Sequence, residues 1–172
     1  MPLTPYHLGL GLLAGLLLLS LIDFPTLLIA SIIVDVEPIT IVVFHLGYRL
    51  HGFFHTFVGG TLIALVLAGA MSKIRTHLTP LLTFFGLEQK ASFRRILSSS
   101  LLGVYVHILL DSNMHWDIQP FYPVSYNPFL DRSVLPGLYL ELMCFWSFIG
   151  AVILYVLRLF LIWRKGRLTQ AT

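Results

Sequence analysis

The run Leu138–Trp163, LYLELMCFWSFIGAVILYVLRLFLIW, holds two charges, Glu141 and Arg158, in 26 residues. A helix needs about 20 predominantly apolar residues, at about 1.5 Å rise each, to cross a hydrocarbon core. This run reads as a spanning helix, and the rest of the chain agrees with it. Of 172 residues, 57% are hydrophobic and 11% charged, with a mean hydropathy of +0.86. A soluble domain is nearer 45–50% apolar and about 25% charged, and a chain this short leaves much of its area exposed. The expected fold is therefore all-α and membrane-integral, a single domain over residues 1–172.

Working back from the last run, four more segments have the character of spans. They cover about His7–Ile22, Pro25–Phe44, His51 or His55 to Lys73, and Phe93–Asp111. Pro25 suits an early helical position after the turn at Asp23-Phe24-Pro25. Asp35-Val36-Glu37-Pro38 interrupts the second span, and Pro38 is expected to break it just after the acids. Residues 74–92 form a connector with room for a short interfacial helix. Residues 112–136 form a Pro-, Tyr- and Asn-rich loop of functional length.

No Lys or Arg precedes Arg49, and no small-residue cleavage site follows the first apolar run, which reads as a retained helix rather than a secretory signal. Lys73, Arg75, Lys90, Arg94 and Arg95 fall on the connector, and Arg158, Arg164, Lys165 and Arg167 near the C-terminus. With five spans and an outside N-terminus, these nine cations face the cytoplasm and only Arg49 and Arg132 remain outside, as the positive-inside rule requires. The expected location is the cytoplasmic membrane. The same bias accounts for the basic balance without nucleic acid. Cys144, the single cysteine, reads as a small buried hydrophobe.

On this topology the polar residues gather at the outer ends of the helices. His7 opens the first, Asp35 and Glu37 sit in the outer part of the second, His51 and His55 open the third, and His107 and Asp111 close the fourth. His115 and Asp117 follow in the loop. Charged groups at membrane depth are costly, roughly 2.5–3.5 kcal/mol for Asp on insertion scales, and a shared metal ion would compensate several at once. His51/His55 and His107/Asp111 are each four apart, which would place each pair on one helix face. Nitrogen and carboxylate donors without a thiolate suit a divalent ion, Zn²⁺ first, with Mn²⁺ or Fe²⁺ as alternatives. More candidates than a four-coordinate zinc needs leave room for a second ion or supporting partners.

Each residue also has a plainer reading. His7 and His51 fit the water interface, Asp35 and Glu37 fit protonated or paired acids, and His107 with Asp111 fits a helix-surface hydrogen bond. His115 and Asp117 fit solvated loop residues. Gly59-Gly60 fits close helix packing, and Trp116, Phe121, Tyr122 and Tyr126 fit an interfacial aromatic belt. Convergence on one face is what favours the metal reading.

The stretches Tyr6-His7-Leu8-Gly9, Ile33–Pro38, Leu50–Thr56 and His107–Asp111, with the loop Asp117–Pro128, resemble in order the prokaryotic membrane-bound metal-dependent hydrolases, the YdjM-like family of small inner-membrane proteins. The resemblance covers roughly residues 4–130. Many members carry His-Arg-Gly-x-Thr-His, whereas here Leu50-His51-Gly52 fills the first three positions; His55 matches the last. The resemblance implies a helical membrane fold and a metal-dependent hydrolase assigned from its His/Asp pattern. Together with the placement of the residues, it leads to the expectation that His7, Asp35, His55, His107 and Asp111 hold the metal, with Glu37 as general base or additional ligand, His51, His115 and Asp117 as additional candidate ligands, and Arg49, His115 or Arg132 meeting an anionic headgroup. The expected substrate is a membrane lipid or lipid-linked phosphoester reached from the outer leaflet. The alternative is a metal or proton transporter, or a non-catalytic metal-binding protein; nearly apolar inner halves of the helices argue against a path across.

Overall fold

The computed structural model describes residues 5–133, 135 and 137–170, with side chains over 6–133, 135 and 137–165. Arg167, one of the C-terminal cations, has its side chain outside the described residues. The described residues are helical and contain no strand. Seven helices run in order: α1 (Pro5–Leu17), α2 (Phe24–Ala30), α3 (Val36–Val43), α4 (Phe57–Ile74), α5 (Thr79–Phe84), α6 (Phe93–Met114) and α7 (Leu138–Gln170). Short 3-10 turns at Ile33–Asp35, Phe53–His55 and Arg75–Leu78 join them.

Four segments are long and apolar enough to cross a membrane: Phe24–Val43, Phe57–Phe84, Phe93–Met114 and Leu138–Lys165. The first of the five expected spans differs. Its helix has 13 residues, about 20 Å of rise, and gives way to a turn before Asp23. Asp23 accepts from the Thr26 backbone N–H and starts α2 directly, so the chain reverses before α1 gains another turn. The described set is thus four span-length helices with a shorter apolar one, compatible with a multi-pass membrane protein. Large apolar side chains point outward throughout, among them Val66 at 72% exposure on α4 and Trp146 and Val152 at 62% on α7.

Packing centres on α6, which lies against α4 and α2, while α1 lies along α7. Small residues set the spacing. A Cβ on Gly103 of α6 would meet Ala30 of α2, and one on Gly60 of α4 would meet Ile108 and Val104 of α6. Around these contacts Ala64, Leu67, Ala68 and Met71 of α4 pack with Ile96, Val104 and Ile108 of α6 and Ala30 and Val34. This is the close backbone approach that apolar helices use where lipid offers no hydrophobic drive between them.

The second span breaks earlier than expected. The α-helix ends at Ala30, and the 3-10 turn at Ile33–Asp35 precedes Pro38, which falls in the first turn of α3, where a missing N–H costs nothing. His51 and His55 do not share a helix face either. Gly52 and the turn Phe53–His55 come first, and α4 opens only at Phe57, capped by the Thr56 hydroxyl accepting from Gly59 N–H.

Arg75 is also not a cation at the surface. It is 1% exposed, and its Nε donates to Asp23 Oδ1 at 2.5 Å. Asp23 N–H donates to the Ser99 hydroxyl, and the Thr26 hydroxyl donates to Asp23 Oδ2. One end of the bundle, formed by α2, α4 and α6, therefore encloses a buried polar cluster, where the sequence suggested almost unbroken hydrocarbon.

Candidate metal centre

At the opposite end of the bundle, three chain segments deliver one group of four side chains. Asp35 comes from the 3-10 turn after α2, His55 from the turn before α4, and His107 and Asp111 from the last turns of α6. All four are buried, and one donor atom of each lies within 4.8 Å of all the others. His107 Nε2 is 3.1 Å from Asp111 Oδ2 and 3.3 Å from Asp35 Oδ1. His55 Nε2 is 3.7 Å from Asp111 Oδ2 and 3.9 Å from Asp35 Oδ1. A tetrahedral ion with bonds of about 2.0–2.1 Å separates neighbouring donors by about 3.4 Å, within the range these four spacings bracket.

Each imidazole is held from behind. His107 Nδ1 lies 2.7 Å from the Ser31 carbonyl oxygen. A carbonyl can only accept, so Nδ1 carries the proton and Nε2 is left facing two carboxylates. His55 Nδ1 lies 3.1 Å from Glu37 Oε2, and burial pushes the pKa of His55 below its ordinary value despite that carboxylate. Neutral His55 with its proton on Nδ1 aims a bare lone pair at the Asp35 and Asp111 oxygens. Both Nε2 atoms and Asp35 Oδ2 are buried without a hydrogen-bond partner. Lone pair facing lone pair is repulsive, and a cation among them converts the arrangement into an attractive one. A single proton on His107 would relieve that ring's two close contacts, but it would leave His55 Nε2 facing oxygens too far away for a hydrogen bond. The donor set therefore fits a divalent metal, and its outer partners match the way metal-bound histidines are oriented.

His7, expected as a ligand, stands beside this group. Its Nε2 is 3.0 Å from Asp111 Oδ1, and its ring centroid is 4.4 Å from that of His107. Its Nδ1 is buried without a partner. Glu37 lies one step further out than the general-base reading needs. Its Oε2 accepts from Gly52 N–H and Phe54 N–H, each at 3.1 Å, as well as from His55. It secures the turn that presents His55. Alternation along Asp35-Val36-Glu37 could not reveal this, because Asp35 ends a 3-10 turn and Glu37 begins α3.

His51, His115 and Asp117 form a second group with donors within the same spacing. His51 Nδ1 is 3.0 Å from Asp117 Oδ1, and its ring stacks on His115 at 4.3 Å between centroids. The His51 ring also lies 4.8 Å from that of His55, so the two groups adjoin. Burial lowers the pKa of His115. Burial acts against ionisation of Asp117, but His51 beside it holds that carboxyl below its ordinary range. The loop carrying them is tied down: Phe57 N–H donates to Pro120 O, and Asn127 Nδ2 to Ser112 O.

Arg49 is exposed and lines a cavity at the same end of the bundle with His51, Gly52, Thr56 and Asp117. Arg132 is exposed further along the loop. Trp116, Phe121, Tyr122 and Tyr126 are exposed, and Cys144 is buried. The Ser31 carbonyl was missed altogether, since a backbone acceptor leaves no mark in residue type.

Fold and site together define a class: a bundle with four span-length apolar helices and a buried His/Asp group at one end able to hold a metal ion. No family model, curated protein or solved structure matches the chain.

Proposed function

We propose that the protein is a metal-dependent hydrolase of the outer face of the cytoplasmic membrane, acting on a lipid or lipid-linked phosphoester. The observation that carries this reading is the pair of imidazoles, each backed at Nδ1, whose buried Nε2 atoms face the Asp35 and Asp111 carboxylates without a hydrogen-bond partner. Asp35, His55, His107 and Asp111 are the ligands, and His51, His115 and Asp117 offer an adjoining position for a second ion. Zinc suits the donors best, with manganese or iron as alternatives. A bound divalent ion supplies Lewis acidity toward a phosphoryl or carbonyl oxygen and activates water.

The chain's own groups have distinct roles. Glu37 is a positioning residue for His55. His7, with Asp111 against Nε2 and a bare Nδ1, accepts a proton. Arg49, at the outer cavity, meets an anionic headgroup. The likeness of Tyr6–Gly9, Ile33–Pro38, Leu50–Thr56 and His107–Asp111 to the YdjM-like membrane-bound hydrolases supports the same reading. So does the charge bias, which favours an outside N-terminus.

A transporter would need the site to communicate with the other end of the bundle. The buried Asp23–Arg75 pair is polar, but Asp23 is already occupied by Arg75, Thr26 and Ser99, and Ala30, Val34 and Val104 are packed in the core of the bundle. The test is metal analysis of detergent-purified protein beside Asp35→Ala and His107→Ala, with phosphatidic acid turnover on the same samples. Bound metal and turnover in wild type, both lost in the variants, support the enzyme. Metal-free wild type ends the reading, and metal flux into liposomes without turnover transfers it to transport.

A further inference from the structure

A crevice of about 250 Å³ runs from the candidate metal centre between α1, α2 and α6. His7 and His107 form its polar end. Below them α1 contributes Leu10 and Ala14, the turn after it Leu18, and α6 Leu102, Val106 and Leu110. The α1 residues recur at helical spacing on one face. From His7 to Leu18 the axial rise is about 17 Å, close to half of a hydrocarbon core of about 30 Å.

No polar group below the histidines is left to recognise a polar ligand. Ser31 lines the crevice, but its hydroxyl donates to Leu27 O at 2.8 Å, and its carbonyl faces His107 Nδ1. Gly11 and Gly103 close the back: a Cβ at Gly11 would meet the Ser31 hydroxyl at 2.6 Å, and one at Gly103 would meet Ala30 at 2.5 Å. The volume is small beside ligand pockets of about 300–1,000 Å³. The space is therefore narrow, one leaflet deep, hydrocarbon-lined and polar only where it reaches the His/Asp group.

We infer that this crevice is a slot for one acyl chain of an amphiphile whose phosphate headgroup sits at the metal centre. This rests on the metal reading above and narrows its substrate class. The slot's walls select a single chain from the outer leaflet, and His7 and His107 mark the depth at which headgroup meets chain. Soluble phosphoesters and sugar phosphates lack the part that the slot holds.

The probe is phosphatidic acid with a diazirine in one acyl chain, in phosphatidylcholine vesicles containing the full chain loaded with zinc. Adducts are mapped by mass spectrometry, and metal content is measured on the same samples. Diacylglycerol bearing the same diazirine chain reports annular contact without a phosphate. The slot predicts adducts on Leu10, Ala14, Leu102 and Val106 with phosphatidic acid, reduced at least about tenfold by Ala14→Phe or Val106→Trp. Val66→Phe, on an exposed part of α4, leaves them unchanged. Adducts spread over the exposed apolar faces, insensitive to the fillers, or equal for diacylglycerol overturn the slot while the metal stays bound. Wild type that takes up no zinc overturns the metal reading on its own, and the labelling then judges the crevice separately.

Discussion

The two ring nitrogens of His55 face opposite neighbours, Glu37 on one side and the Asp35 and Asp111 carboxylates on the other. Removing Glu37's charge leaves every proposed ligand in place but loosens the ring that presents Nε2. Glu37→Gln is expected to weaken zinc affinity roughly 10–100-fold, as loss of an outer partner does elsewhere. Titration against a chelator reads this, and an unchanged affinity would return Glu37 to a role in solvent. Acidity should act on the same residue. Because burial lowers the pKa of His55, the unfolded chain binds its proton before the folded state does. The stabilising contribution of neutral His55 is present above the ordinary histidine value of about 6.5 and is lost as pH falls below it. Protons also compete directly with metal at imidazole. Zinc should stay bound at pH 7 and be released progressively as pH drops below about 6, measured by metal retained after desalting.

Among the helices, α6 does most to form the site, since it carries His107 and Asp111 and packs on both α2 and α4. Its register against α2 is set where Gly103 meets Ala30, one helical turn before His107. Gly103→Val should push the two helices apart and cost about 1–3 kcal/mol by overpacking. The same displacement would draw His107 Nδ1 away from the Ser31 carbonyl, so metal affinity should fall together with the melting temperature. A variant that melts lower yet binds zinc normally would show that the ring is held by α6 alone.

Across the whole molecule, two buried polar clusters sit at opposite ends and carry different burdens. The Asp23–Arg75 cluster joins α2, α4 and α6 at the end away from the histidines, and its buried unpartnered atom, Arg75 Nη2, belongs to a cationic N–H donor that cannot hold a metal. Breaking a buried pair by removing one partner costs about 3–5 kcal/mol. Arg75→Leu should therefore lower the melting temperature in detergent sharply, while the fraction that remains folded keeps its zinc stoichiometry. Loss of metal at temperatures where the fold persists would instead mean that the two ends are coupled.

How much was legible in the chain follows from where each signal resides. Apolar runs such as Leu138–Trp163 declared the long helices, because a span is a local property of composition and length. His107 and Asp111 declared a shared face, because α-helical spacing places residues four apart on one side. The acids and histidines at the outer ends were visible as a set, though their partition into Asp35, His55, His107, Asp111 and a neighbouring His51, His115, Asp117 group was not. That division depends on the 3-10 turns at Ile33–Asp35 and Phe53–His55, whose effect is to rotate one residue inward and its neighbour away. Glu37's attachment to His55, the Ser31 carbonyl behind His107 and the union of Asp23 with Arg75 join residues 18, 76 and 52 positions apart. Composition determined that the helices are apolar and which side chains were available. Only packing decided which of those side chains meet, because hydrogen bonds and ion pairs depend on distances of a few ångströms that separation along a chain does not encode.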